Sequence, residues 1–160
     1  MSPRAAWRLE SLGFREVYDY AAGKLDWMSA GLPTDGTNSA RSRVGVVARK
    51  DIATARLDER LGDVRERARG SGVSAAVVIN SERVVFGLLR STELEKNPNL
   101  RVEQAMRPGP STFRPYVAVK EMAEYMSEHR LESSPITTSD GRLVGLLLQE
   151  DAVRIAGEEK

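Results

Sequence analysis

The chain repeats itself, and that repeat limits its fold more than any other feature. Over residues 44–157, a shift of 58 positions places Val44 on Val102, Arg49 on Arg107, Thr54 on Thr112 and Arg56 on Arg114, with no gap. The same shift lays Gly87-Leu88-Leu89 on Gly145-Leu146-Leu147, and Glu93 on Asp151. Identities are sparse, but the hydrophobic positions coincide. Leu61, Val64 and Ala68 make an apolar helical stripe in the first copy, and Val119, Met122 and Met126 make one in the second. A unit this short buries too little surface to be comfortable alone. Two copies are expected to bury their open sheet faces against each other about a pseudo-twofold axis. That pairing leaves two equivalent clefts where small molecules can lodge.

Each copy reads as β-α-β-β-α, which makes the fold class α+β (mixed α/β). After the helix, strands are expected over residues 73–80 and 131–137. Polar turns lead from them into the apolar runs Val84-Val85-Phe86-Gly87-Leu88-Leu89 and Leu143-Val144-Gly145-Leu146-Leu147-Leu148. Both runs read as buried strands, far short of the roughly 20 residues a bilayer span needs. Short helices are expected over 91–96 and 149–156. Asp58 is placed to N-cap the first repeat's long helix, and Pro115 to occupy the first turn of its counterpart. Met106, Met122 and Met126 are expected in the core or at an interface between copies.

Ahead of the repeats, residues 3–12 carry Ala6, Leu9 and Leu12 at helical spacing and stop at Gly13. Residues 16–20 alternate like a short strand, 24–30 suit a second helix, and 34–42 read as a polar linker. Trp7 and Trp27 are expected to pack. The organisation predicted is an N-terminal α/β extension and linker over 1–40, a first repeat over 41–98 and a second over 99–157.

Composition narrows the function. Cysteine is absent and His129 is the sole histidine, which removes disulfides, thiol nucleophiles, thiolate metal sites and histidine clusters. His129 is instead expected as a cation at a helix C-terminus. Lys+Arg 24 against Asp+Glu 23 leaves a net charge of +1, so no global field draws the protein to nucleic acid or anionic lipid. Arg65, Arg67 and Arg69 lie among Asp63 and Glu66 without aromatic neighbours, which reads as a solvated helix face. No signal-peptide pattern opens the chain, and it reads as cytoplasmic. A binding function is therefore expected in place of catalysis.

On these residues, 44–157 resemble a pair of cystathionine β-synthase (CBS) domains, the regulatory unit also called a Bateman module. The resemblance rests on Val44…Ala48-Arg49…Thr54 with Gly87-Leu88-Leu89-Arg90-Ser91-Thr92-Glu93, and on Val102…Met106-Arg107-Pro108…Thr112 with Asp140-Gly141-Arg142-Leu143-Val144-Gly145. It implies a homodimer whose clefts hold adenosyl ligands such as AMP, ATP or S-adenosylmethionine, with no catalytic residues and no metal. The family's ligand pattern is Gly, two apolar residues, Thr or Ser, two further residues, then Asp. Here the second repeat keeps Gly145 and Asp151 but has Leu148 at the hydroxyl position. The first keeps Gly87 but has Arg90 there and Glu93 for Asp. The resemblance thus implies Asp151 on a ribose, with Thr112, Ser134, Pro135 and Ile136 around the base. In the first cleft, Glu93 takes the ribose role, beside Thr54, and Arg90 meets an anionic group. The alternative is a structural or protein-interaction module with degenerate, ligand-free clefts.

Residues 3–35 resemble something else, the C-terminal end of a rhodanese domain. The match lies in Ser2-Pro3-Arg4-Ala5-Ala6-Trp7-Arg8-Leu9, in Leu12-Gly13-Phe14-Arg15-Glu16-Val17-Tyr18, and in Trp27-Met28-Ser29-Ala30-Gly31-Leu32-Pro33. The loop holding that family's catalytic cysteine would lie upstream of Met1, and the chain has no cysteine, so sulfurtransferase activity is not expected.

Overall fold

The computed structural model describes residues 2–21, 23–30, 32–36 and 41–158. Its elements, in chain order, begin with α1 (Ser2–Ser11) and α2 (Gly23–Ser29). The first repeat contributes α3 (Val44–Val47), β1 (Ala53–Ala55), α4 (Leu61–Gly70), β2 (Ala75–Ile79), β3 (Val85–Arg90) and α5 (Ser91–Leu94). The second contributes α6 (Val102–Ala105), β4 (Arg107–Pro108), α7 (Val119–Glu128), β5 (Ser133–Thr137), β6 (Leu143–Leu148) and α8 (Gln149–Glu158). The expected mixed α+β class is observed. Each repeat, however, starts with a helical turn, α3 or α6, ahead of its first strand.

The 58-residue offset survives in the backbone hydrogen bonds. Val44 N–H donates to Val117 at 3.0 Å, and Val102 N–H donates to Glu59 at 3.0 Å. Val85 N–H reaches Gly141 at 3.1 Å while Leu143 N–H reaches Arg83 at 2.9 Å. Every one of these bonds crosses between repeats, and each maps onto its mate by the same shift.

The strands cross over as well. β1 runs parallel to β2, β2 pairs antiparallel with β3, and β3 pairs antiparallel with β4 from the other repeat. In the mirrored place, Arg49 bridges to Leu146 beside the β5–β6 hairpin, and Phe113 bridges in parallel to Ile136. Each hairpin thus receives an edge segment from the opposite repeat. The glycine of each repeat's apolar run permits that approach. A Cβ at Gly145 would lie 2.8 Å from the Arg49 carbonyl oxygen, and one at Gly87 3.1 Å from that of Arg107.

Three apolar clusters follow from this exchange. One holds Leu61, Val64 and Ala68 of α4 together with Val102 and Ala105 of α6. A second holds Val119, Met122 and Met126 of α7 with Val44 of α3 and Ala48. The third joins the two sheets through Val77 and Leu88 on one side and Leu143 and Leu146 on the other. The apolar faces of α4 and α7 are buried as their spacing predicts.

Several local expectations are corrected. Asp58 does not cap α4: Arg60 sits at the N-cap in extended conformation, with no side-chain cap. The first helical N–H groups donate instead to the backbone where the two repeats join, Leu61 to Leu100 of the second repeat at 2.9 Å and Gly62 to Pro98 at the end of the first at 3.0 Å. Pro115 lies outside α7, where its carbonyl accepts the Gly45 N–H at 3.0 Å. Residues 16–20 form no strand, because their alternation finds no edge to pair with and Tyr18 is 87% exposed. Trp7 is exposed as well, whereas Trp27 donates to the Pro33 carbonyl at 2.7 Å and meets Tyr20 edge-on. Arg65 is not merely solvated, since it donates to the carbonyls of Leu94 and Lys96. His129 takes the expected place at the C-terminus of α7, with Nδ1 2.9 Å from the Tyr125 carbonyl. Residues 37–40 of the expected linker lie outside the described residues.

Candidate functional site

Glu93 and Asp151 are each the third residue of a helix that follows a hairpin strand directly, α5 after β3 and α8 after β6. There a carboxylate is favoured by the helix N-terminus. The structure brings each one against an arginine from the opposite repeat. Arg49 Nε donates to Asp151 Oδ2 at 2.7 Å, and Arg107 Nε donates to Glu93 Oε1 at 2.7 Å. The shift of 58 carries one bridge onto the other.

Their surroundings differ. The Glu93 side chain is 5% exposed, and its second oxygen accepts the Arg90 N–H at 3.1 Å. The Asp151 side chain is 14% exposed, and its second oxygen has only a long 3.4 Å contact with Arg154. Arg49 reaches Glu150 too, at 3.2 Å. Both carboxyls are held below their ordinary ranges. For Glu93, burial pushes upward and is outweighed by the Arg107 hydrogen bond, the Arg90 N–H, the Thr92 hydroxyl and the Arg107 charge. For Asp151, the Arg49 hydrogen bond leads, burial opposes it, and the charges of Arg49 and Arg154 add to the lowering. Arg49 is correspondingly raised by its bond to Asp151.

The other candidates lie within β5 and beside it, and in the first repeat within β1 and at the end of β3. Ser134 Oγ donates to the Ser111 carbonyl at 3.2 Å, which ties it to the segment carrying half-buried Thr112. Pro135 is buried in β5 and accepts the Phe113 N–H at 3.2 Å. Ile136 is fully buried in the second repeat's core and bridges in parallel to Phe113. Gln149 N–H donates to the Glu132 carbonyl at 3.0 Å and so joins the start of β5 to the start of α8, two residues before Asp151. In the first repeat, Thr54 pairs with Val77, and Arg90 with Ala75 beside Glu93. Arg90 Nε is buried without a hydrogen-bond partner. Sequence reasoning missed Arg49 and Arg107 as site residues. Their signal was present, because they are among the few identities the repeat retains.

A cleft of about 860 Å³ lies where the N-terminal segment, residues 41–50 of the first repeat and the second repeat meet, lined by Met28, Arg43, Lys50, Tyr116, Arg154 and Ile155 among others. None of the candidate ligand residues lines it. Among the described residues, no cluster of acidic, histidine or cysteine side chains is arranged to hold a metal ion. No helix among them is long and apolar enough to cross a membrane.

Comparison with known proteins bears on the fold. Residues 102–158 match the CBS domain family. The crystal structure of CBSX2 in complex with AMP superposes with a TM-score of 0.65 at 21% identity, over 73% of this chain and 97% of that one. The fold is that of a CBS pair. The CBS-domain pair of protein MJ0100, solved with 5-methylthioadenosine and S-adenosyl-L-methionine, gives a TM-score of 0.66 at 19% identity, over 75% of this chain and 99% of that one. Among curated relatives, the inosine-5'-monophosphate dehydrogenase of Halobacterium salinarum is 28% identical over 109 residues, 66% of this chain. That of Korarchaeum cryptofilum is 26% identical over 104 residues, 64% of this chain. The chain spans 22% of the length of each dehydrogenase. In this chain, Asp151 and Glu93 meet the segments that cross from the opposite repeat at Arg49 and Arg107.

Proposed function

We propose that this chain is a non-enzymatic regulatory CBS pair that binds an adenosine-containing ligand in the cleft at Asp151 and signals by shifting the packing of its repeats. The observation that carries the reading is the place of Asp151, on the first turn of α8 at the seam between repeats, with its carboxylate partly open to solvent. A carboxylate so placed accepts the protons of both ribose hydroxyls, while Thr112, Ser134 and Pro135 flank the base above Ile136. Glu93, Thr54 and Arg90 form the matching first cleft, where the unpartnered Arg90 Nε suits an anion. Because Asp151 is tied to Arg49 of the first repeat, a ligand that takes its carboxylate biases the relative arrangement of the repeats. AMP and S-adenosyl compounds in similarly folded proteins support this ligand class.

The proposal includes a cytoplasmic homodimer that engages neither membrane nor nucleic acid. It assigns residues 41–98 and 99–157 to the two repeats, and 1–40 to a rhodanese-like remnant and linker without catalysis. A clean monomer in sedimentation would remove the dimer from it.

Calorimetry with AMP, ATP and S-adenosylmethionine tests the ligand reading. Asp151→Ala is expected to weaken binding by on the order of tenfold to a hundredfold. Unchanged affinity would sink the ribose assignment. One observation favours a second reading, a structural module with ligand-free clefts: both carboxylates are already ion-paired. Absence of binding by all three ligands would select it.

A further inference from the structure

The bridge that closes on Asp151 comes from a segment of the other repeat, and its energetics say which ligands can open it. A ribose diol that takes the Asp151 oxygens must displace the Arg49 Nε–H now 2.7 Å away. The released guanidinium would then stand in a half-buried place beside another cation. Arg154 contacts the same carboxylate at 3.4 Å and has Glu158 as its own partner at 3.5 Å. The nearby acid is Glu150, whose side chain is 74% exposed and therefore a weak substitute partner. A neutral nucleoside leaves this cost uncompensated, and a sulfonium ligand adds to the positive charge. A phosphate ester removes the cost, because its oxygens accept the planar guanidinium fork as a carboxylate does.

We propose that Arg49 is a specificity-determining latch: it holds Asp151 shut against neutral and cationic adenosyl ligands and yields to adenosine phosphates, whose phosphate re-pairs it. The inference rests on the reading of Asp151 as the ribose carboxylate. It assigns the response to the second cleft. In the first, Glu93 is more deeply buried and both of its oxygens are engaged, one by Arg107 and one by the Arg90 N–H, so that latch stays closed.

The test is calorimetry on the full chain with AMP, adenosine and S-adenosylmethionine, for the wild type and Arg49→Gln, with Arg49→Lys as a second variant that keeps the charge but loses the fork. In the wild type, AMP is expected to bind about tenfold or more tighter than the other two. In Arg49→Gln that preference should fall to roughly threefold or less, with adenosine gaining affinity and AMP losing it. Arg49→Lys should fall between, and circular dichroism checks that each variant is folded. A preference for AMP that survives intact in Arg49→Gln overturns the latch. So does equal binding of AMP and adenosine by the wild type. Asp151→Asn separates the two readings. If it loses both ligands while the wild type shows no preference, the ribose assignment stands and the latch falls. If it binds AMP as the wild type does, the ribose assignment itself fails and takes the latch with it.

Discussion

Glu93 and Asp151 occupy equivalent places, each on the first turn of a helix and each facing an arginine from the other repeat, yet they are committed to different degrees. Glu93 lies almost wholly inside, with one oxygen on Arg107 and the other on a backbone N–H. Asp151 is shorter by one methylene, more open, and has one oxygen held only loosely by Arg154. Duplication supplied two copies of one device. The extra methylene in the first lets the carboxylate fold back as half of a capping box, while the shorter side chain in the second is 14% exposed and makes no such bond. One copy has both oxygens firmly engaged, and the other keeps one oxygen with only a long contact. The difference between the two carboxylates is therefore one of reach and burial, not of charge.

The comparison is meaningful only if the two repeats are one cooperative unit, and the largest predicted effect tests that. Leu61 and Val119 are equivalent residues at the starts of α4 and α7, both fully buried. Leu61→Ala should cost about 3 kcal/mol and Val119→Ala about 2 kcal/mol in urea unfolding. Because each core contains side chains from the opposite repeat, both variants should still unfold in one transition at all probes. Two separated transitions in either variant would mean that the repeats are independent, and the interlocked account would fail.

The next effect separates the two carboxylates. Glu93→Ala strips a buried ion pair and leaves the Arg90 N–H without its acceptor, a loss of about 2 kcal/mol. Asp151→Ala removes a partly exposed pair and should cost less than about 1 kcal/mol without ligand. Equal losses in denaturant titration would erase the distinction between a structural tie and an open position.

Much of this was legible beforehand. The gapless 58-residue register, the apolar faces of α4 and α7, and the hairpins around Gly87 and Gly145 all follow from local periodicity and turn residues, which the folded chain keeps. What periodicity does not encode is which hairpin a short extended segment joins. Residues 48–49 could lie beside either β3 or β6, and nothing in their own pattern decides it. The partners of Glu93 and Asp151 were hidden for that reason, although Arg49 and Arg107 were visible as a repeated pair. The failed Asp58 cap has the same origin. Local capping was displaced by the backbone carbonyls of Pro98 and Leu100 where the repeats join, tertiary partners that a window around the helix does not contain. Residues 16–20 show the converse, a strand-like alternation with no edge to complete it.

The smallest effect is in acid. Glu93 and Asp151 both titrate below their ordinary values, near about 4, so each contributes stability that is present above that range. The contribution is lost as pH falls through the lowered folded value, because protonation ends the pairing. Replacing the arginine moves the folded value back up and removes the contribution. The stability gap between the wild type and Arg49→Gln should therefore be largest near neutral pH, at under about 1 kcal/mol, and should close below about pH 4. Arg107→Gln should show the same sign with a residual difference, since burial pushes Glu93 upward once its main opponent is gone, while the Arg90 N–H still holds it. Carboxyl carbon titrations followed by NMR read the two sites separately. An Asp151 midpoint that does not rise in Arg49→Gln would break the pairing on which the contrast between the clefts depends.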